Sequence, residues 1–600
     1  MSREEHRQTS DSSPASPVML GVIDPLAEAA ARLLDREPDP LGEIDLSTVV
    51  VVTPGRRAGR QLLVALDDAA AAQGRRFVAP TFTTLAALDE SLVIPAAAST
   101  TANATLAVAD DATVLAAIGR AIVDAATAED AVPEGPLRWL PRHADPLEVH
   151  ALARRLFDAD RTVRAGDRTW TDVAAAAERR AGDGERYRGI AAVMAETDRL
   201  LAAHGLQRRD HAIEAFIRML ETSHASAGGH REIVLVGVVD LGPRDARLLR
   251  AAASCGLDVR PFIIAADDRA SAFDEFGAVR PDVWMDAPPI VPVDGIRVEA
   301  RPTDVALALA DWLADRQTEA GGALDPEDIA IVLADESMGE VVRRELQACG
   351  AAVHLGQGRS PISDGPARTL ERLADWYEHP DSLTFGGLLA DPAIEAALRA
   401  SSNVDDALAD WTGWAADQMP RPIESEWMSV PEGVPDSVRS RSERLAVIDA
   451  SLGGLLGGGG GDDVAVALPV QVGAVIDLLA RIDLAAGDAS PWSDAALRAV
   501  RTAGERLSAM PPALAPLVGR APAIRLLLDV LQGVPQPDPG STDAIETIGW
   551  LESPFDPAPR LAVVGLHDAA VPGSSEDPLL PESLRAELGL EDAARRTARD

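Results

Sequence analysis

Lysine is absent from all 600 residues, so each of the 56 Lys+Arg cations is arginine. GC-rich coding bias accounts for such an absence without selection on function, but the chemical consequence holds either way. A compact ammonium can enter between the β- and γ-phosphates of a nucleotide, whereas guanidinium is planar, larger and fixed in geometry. Lysine-dependent catalysis is therefore excluded within these residues. Cysteine is nearly absent too: Cys255 and Cys349 lie far apart, which excludes a disulfide framework and any Cys-based metal or redox motif. No uninterrupted apolar run approaches the roughly 20 residues that span a bilayer. The opening "MSREEHRQTSDSSPASP" lacks the apolar core of a signal peptide and reads as a disordered leader on a cytoplasmic protein. Positive charge is in deficit, 56 basic against 95 acidic residues for a net charge of −39, which argues against indiscriminate wrapping of nucleic acid. A local arginine-lined channel stays open, because net charge does not report distribution. There is no GxSxG elbow and no Cys–His nucleophile signature.

What is present is strand and helix in alternation, in a chain too long for one core. "STVVVVT" (47–53) is a continuous β-branched strand, followed by "PGRRAGRQLLVAL", a turn and an amphipathic helix. "EIVLVGVVD" and "LDVRPFIIAADD" are further strands. A proline-rich linker is expected over 280–295. Beyond it come the strand "IRVEA", a helix, "DIAIVLA", a helix and "AAVHLG", with a final strand in "PRLAVVGLHDAAVPG". Alternation of this kind implies parallel, helix-covered sheets. The expected fold is α/β: a leader and first helix (1–44), a first α/β domain in two parts (45–103 and 231–290) around a helical insertion (104–230), and a second in two parts (291–365 and 546–600) around another (366–545). The glycine run within 452–463 reads as a flexible loop.

The stretch Thr53-Pro54-Gly55-Arg56-Arg57-Ala58-Gly59-Arg60-Gln61 has the outline of a phosphate-binding loop. It is one residue short of GxxxxGK[ST], with Arg60 in the lysine place and Gln61 in the hydroxyl place. Three readings are open for it: an ordinary strand–turn–helix, a non-catalytic contact to a nucleic-acid phosphate through backbone N–H groups and arginines, or a divergent ATP site. The strand at 233–236 is followed by Gly237 and Val238, neither of which can hold a metal ion. Asp240 and Asp245 read as solvated loop residues. "GQGRSPISDG" (356–365) holds a lone GxG, with Pro361 where a third glycine would be. His143 and His150 make no convincing metal site, and Trp411 and Trp414 read as core packing.

Residues 549–600 resemble the second motor-like domain of the AddB family, helicase-like subunits of bacterial helicase–nucleases that process double-strand breaks. The resemblance lies in Trp550-Leu551-Glu552, the strand ending at Gly565, Val571-Pro572, "LPESLRAELGL", and Arg595, Arg596, Arg599 and Asp600. "VVVVTPGRRAGRQL", "IVLVGVVDLGPRDARLL" and "DIAIVLADESMGEVVRRELQACG" are similar to segments of that family in the same order. The resemblance implies a superfamily 1 helicase arrangement of two RecA-like parallel-sheet domains, each with an α-helical insertion. It also implies a PD-(D/E)XK nuclease domain beyond residue 600, with its divalent metal and iron–sulfur cluster, so that the chain is expected to continue. Gly565, His567 and Asp568 are similar to the segment that couples ATP to DNA, and Arg595, Arg596 and Arg599 to an arginine finger; each is a candidate DNA or interface contact. The expected function is DNA binding or scanning without ATP or magnesium, beside a partner helicase–nuclease subunit and away from any membrane. The alternatives are an active ATP-dependent helicase and an interaction module that never touches DNA.

Overall fold

The computed structural model describes residues 17–599 except 39, 41, 89–105, 129–144, 224–229, 287–294, 360–364, 403–405, 419–435, 458–463, 535, 539, 541–542, 568, 572 and 574–576. The protein is mixed α/β, built on two parallel sheets and a large helical body. Val50, Val51 and Val52 are all 0% exposed, as a β-branched run covered on both faces must be. Their strand is interior to the first sheet, whose members in chain order are β1 (Val18–Met19), β2 (Val49–Thr53), β3 (Thr81–Thr84), β4 (Glu232–Val236) and β5 (Asp258–Ile263). Across the sheet they run β1-β5-β4-β2-β3, all parallel.

Alternate residues of β2 and β4 feed two different cores. Val49, Val51, Val234 and Val236 pack under the helices Pro25–Leu34 and Arg56–Ala72. Val50, Val52, Ile233 and Leu235 pack under Arg209–Ser223 and Pro243–Ser254 on the other face. The adjacent strands β2 and β4 therefore send their following helices to opposite faces. Such a switch point opens a crevice at the C-terminal strand ends, the usual place for a site in an open α/β sheet.

The second sheet comprises β6 (Ile329–Leu333), β7 (Val353–Leu355), β8 (Ile545–Gly549) and β9 (Arg560–Val564), in the order β7-β8-β6-β9, again all parallel. The helical segments that interrupt the two sheets do not form separate bodies. Ile118, Leu156 and Ile190 of the first share one continuous core with Leu370, Phe385 and Leu527 of the second. His150 and Arg154 reach across to Asp529 at its margin.

Several expectations change. The first helix expected within 1–44 is Pro25–Leu34, packed against Arg56–Ala72, and before it the unexpected strand β1 pairs with β5. "IRVEA" joins no sheet. Residues 545–549 form an interior strand where the alternation "IETIG" is too short to stand out. The linker begins as a helix, Pro281–Asp286, and the helix Asp436–Leu456 runs into the glycine-rich stretch. Gly182 ends the helix Trp170–Ala181 in the left-handed conformation that glycine favours. Among the described residues, no helix is long and apolar enough to cross a membrane.

Phe385 is fully buried and packs edgewise on Trp411, ring centroids 5.4 Å apart, with Trp376 at 5.8 Å. Phe385→Ala is expected to cost ~3–5 kcal/mol. Because the helical segments share a core, denaturant melts followed by far-UV circular dichroism and by tryptophan fluorescence should shift together.

Candidate functional site

The turn after β2 is only two residues long. The helix starts at Arg56, so the backbone from Arg56 to Gln61 is the first turns of a helix and not a phosphate-cradling loop. Thr53 is buried, and its hydroxyl donates to the Gly55 carbonyl at 2.9 Å. Gly59 lies inside the helix with its N–H on the Gly55 carbonyl, packed against Thr53 and Phe82. Gly55 supplies no side-chain cap, which leaves the first N–H groups of a 17-residue helix seeking an acceptor.

That acceptor is Glu552. It sits on the short 3-10 turn Trp550–Phe555, which follows β8 of the second sheet, and its carboxylate accepts from the N–H groups of Arg57 and Ala58. A Cβ on residue 55 would collide with this carboxylate, so only glycine admits it. The Glu552 carboxylate takes the place that an anion would occupy at a helix N-terminus. Burial pushes its carboxyl above the ordinary value, against the downward pull of Arg57 and Arg60.

Arg57 closes the same junction. It is 7% exposed, and its Nη2 donates to Glu546 Oε2 at 2.8 Å and to Asp556 Oδ2 at 2.5 Å. Burial disfavours both charges of the Arg57–Glu546 pair, yet their hydrogen bond and mutual attraction prevail. The guanidinium is held above its ordinary value and the Glu546 carboxyl below its own. Arg57 Nε and Nη1 are buried without partners, so the pairing is tight but incomplete. Arg56 and Arg60 stay exposed on the outer side of this turn.

The end of β4 is filled from the same segment. Gly237 has φ +60°, and a Cβ there would come within 2.6 Å of Phe555 Cζ. Phe555 is 1% exposed and completes the core under the helices Pro25–Leu34 and Arg56–Ala72. Beyond the plug lies a cavity of about 1140 Å³, bordered by Pro54, Val238, Trp550 and Arg599. Of the five arginines that line it, three pair with acids, Arg208 with Asp160, Arg244 with Asp210, and Arg599 with Asp240 at 3.1 Å, whereas Arg161 lies over the Phe157 ring and Arg209 donates to the Ala86 carbonyl. Burial raises the Asp160 carboxyl despite the neighbouring Arg208.

The remaining candidates are dispersed. Asp240 is not merely solvated, since it binds Arg599; Asp245 caps its own helix through the Gly242 N–H at 3.2 Å. Arg596 is buried on Glu582, and Arg595 donates to the Gly589 carbonyl at 2.7 Å. Gly565 and His567 follow β9, at the other sheet, where His567 Nε2 lies 3.2 Å from Asp335 Oδ2. Asp568, Pro572, Asp600, His143 and Pro361 lie outside the described residues. Trp411 and Trp414 stack at 5.3 Å, buried in the helical core as expected. The structure thus brings Gly55, Arg57, Gly237 and Arg599 around one crevice and leaves His567 elsewhere. Sequence reading missed Glu546, Phe555 and Asp556 and gave Glu552 no role; Arg57 lies 489 and 499 residues from its acids, beyond the reach of any local pattern.

Chemically, the crevice is a closed junction. The N–H groups at the turn after β2 that would face an anion are met by the Glu552 carboxylate of the same chain. No metal-holding carboxylate stands at Gly237 or Val238. Among the described residues, no three His, Cys, Asp or Glu side chains gather to hold a metal ion. The class this defines is an α/β protein of two parallel sheets joined by a buried salt-bridge lock at the strand ends of the first. Compared with protein-family models and with curated proteins, the chain matches none.

Arg57→Ala leaves two acids unpaired at a buried junction and should destabilise by ~3 kcal/mol in denaturant melts. Adding Glu546→Gln should recover part of that loss, as a double-mutant cycle would show. For Glu552 the folded state holds a proton more tightly than the unfolded chain. Its share of the stability is therefore greatest at low pH and declines as pH rises from 4.5 through the raised folded value. Glu552→Gln removes that slope, so the variant should gain on the parent between about pH 4 and 7.

Proposed function

We propose that the chain is a non-hydrolysing, helicase-like scaffold that holds DNA beside a partner motor and nuclease in double-strand-break repair. In this reading the two sheets are RecA-like domains with one fused helical body, and the machinery of ATP turnover has been replaced by internal contacts. The observation that carries it is the segment Trp550–Asp556: one turn places a carboxylate on the helix N-terminus after β2, an aromatic ring at the end of β4 and an acid on Arg57. ATP hydrolysis needs cradled phosphates, a held metal ion and transition-state cations, and the same places are filled by Glu552 and Phe555. Support for the DNA half comes from the resemblance of the terminal segments to AddB proteins and from the exposed Arg56, Arg60 and Arg595.

A second reading, a protein-interaction module, is favoured by Arg208, Arg244 and Arg599 of the cavity, whose charges are met by Asp160, Asp210 and Asp240. The test that separates the readings is a pair of assays on the purified chain. With ATP, magnesium and forked DNA it should release no phosphate above the blank. It should nevertheless retard forked DNA, with affinity falling linearly in log salt. DNA-stimulated hydrolysis that is abolished by Arg60→Ala would instead establish an active motor, and no retardation even at low salt would leave the interaction module.

A further inference from the structure

The helix Arg56–Ala72 meets its anion from a distant part of the chain. Gly55 offers no side-chain cap, and the N–H groups of Arg57 and Ala58 are met instead by Glu552, which arrives on the 3-10 turn Trp550–Phe555. Gly55 is extended, with φ −145°, a conformation open to any residue. What demands glycine there is space, because a Cβ would fall on the Glu552 carboxylate. The helix start is thus shaped around one bound oxyanion, and Glu552 is only half-buried, so this place borders solvent.

Arginine adds donors that the carboxylate does not use. Arg57 is 7% exposed, and its Nε and Nη1 are buried without an acceptor. Its charge and that of Arg60 both pull on the Glu552 carboxylate. Burial works against that pull, so the carboxylate holds this place at a desolvation cost. Charge sets the class of anion that replaces it. Glu546 and Asp556 already face Arg57, which leaves room for one further negative charge and disfavours a dianion such as a phosphate monoester. A backbone phosphodiester carries one charge on two free oxygens, as a carboxylate does, and helix N-termini are among the groups that hold it.

We propose that the helix start after β2 is a seat for one phosphodiester, in the reading above a backbone phosphate of single-stranded DNA. Glu552 closes it as an intramolecular stand-in, and it opens when the turn Trp550–Phe555 withdraws. The same turn carries Phe555 into the core under this helix and leads to Asp556 on Arg57, so opening the seat loosens the junction between the sheets. A phosphodiester held here and a closed junction exclude one another. The inference rests on the DNA-holding reading and adds to it a contact that the chain itself regulates.

The test measures binding of fluorescein-labelled oligo(dT) by anisotropy across a salt series. Glu552→Gly empties the seat and should tighten binding about tenfold, with a log–log salt slope steeper by about 0.7, the increment for one added single-strand phosphate. Glu552→Gln also removes the charge but keeps an oxygen on the N–H groups, so its slope should match the parent's. Adding Gly55→Ala to Glu552→Gly puts a methyl group in the vacated place and should return the slope to the parent value. A parent that binds oligo(dT) while Glu552→Gly keeps its slope overturns the inference and leaves the DNA-holding reading standing. So does a steeper slope that survives Gly55→Ala. Thermal melts in dimethyl phosphate, against sodium chloride at equal ionic strength, give a readout without DNA. Dimethyl phosphate should raise the melting temperature of Glu552→Gly, or restore its folding, and leave the parent unmoved; no effect on the variant overturns the inference. A melt that shifts while no form of the chain binds oligo(dT) supports the seat and removes the DNA-holding reading.

Discussion

A single guanidinium, buried at the meeting of the two sheets, organises the centre of this protein. Arg57 lies at the start of a helix belonging to the first sheet, and its partners Glu546 and Asp556 belong to the second. Removing such a cation from water carries a desolvation cost of several kcal/mol, which only close, well-placed acids offset. The pair therefore fixes the relative placement of two elements that the chain keeps almost five hundred residues apart. Glu552 and Phe555 follow from that placement, because one short turn delivers both to the crevice once the lock has formed.

The consequence for chemistry is a substitution of contents. A switch point between parallel strands makes a crevice with free N–H groups and a positive helix end. In a nucleotide-binding protein that positive end is satisfied by phosphate. Here it is satisfied by a carboxylate from the same chain, whose burial raises its proton affinity while the helix N–H groups and nearby arginines keep it in place. The space that remains is bordered by three arginine–acid pairs, Arg208–Asp160, Arg244–Asp210 and Arg599–Asp240. The electrostatics of the site describe a joint, and the proposed scaffold role rests on that description.

Much of the fold was legible in the residues. The valine run, the strand of 232–236, the strand of 329–333 and the helices between them announce themselves by β-branched continuity and 3.6-residue periodicity, which are local signals. That Gly237 and Val238 carry no carboxylate was legible for the same reason: they are two residues at the end of one strand. Other features depend on distance. The strand at 545–549 is short and carries Glu546, which interrupts its apolar pattern because that side chain serves Arg57. "IRVEA" has the pattern of a strand but no neighbour to pair with. The glycines of 55–59 suggested a cradle, yet Gly55 makes room for Glu552 and Gly59 for Thr53 and Phe82.

The sequence by itself determined the absence of any lysine, the alternation that makes two parallel sheets, and the missing carboxylate after β4, since each is a property of neighbouring residues or of composition. Tertiary structure decided what fills the crevice, that the two helical segments share one core, and which arginines are neutralised. Those outcomes depend on which distant side chains meet at a buried place, where desolvation makes a partner obligatory and nothing in the local pattern names it.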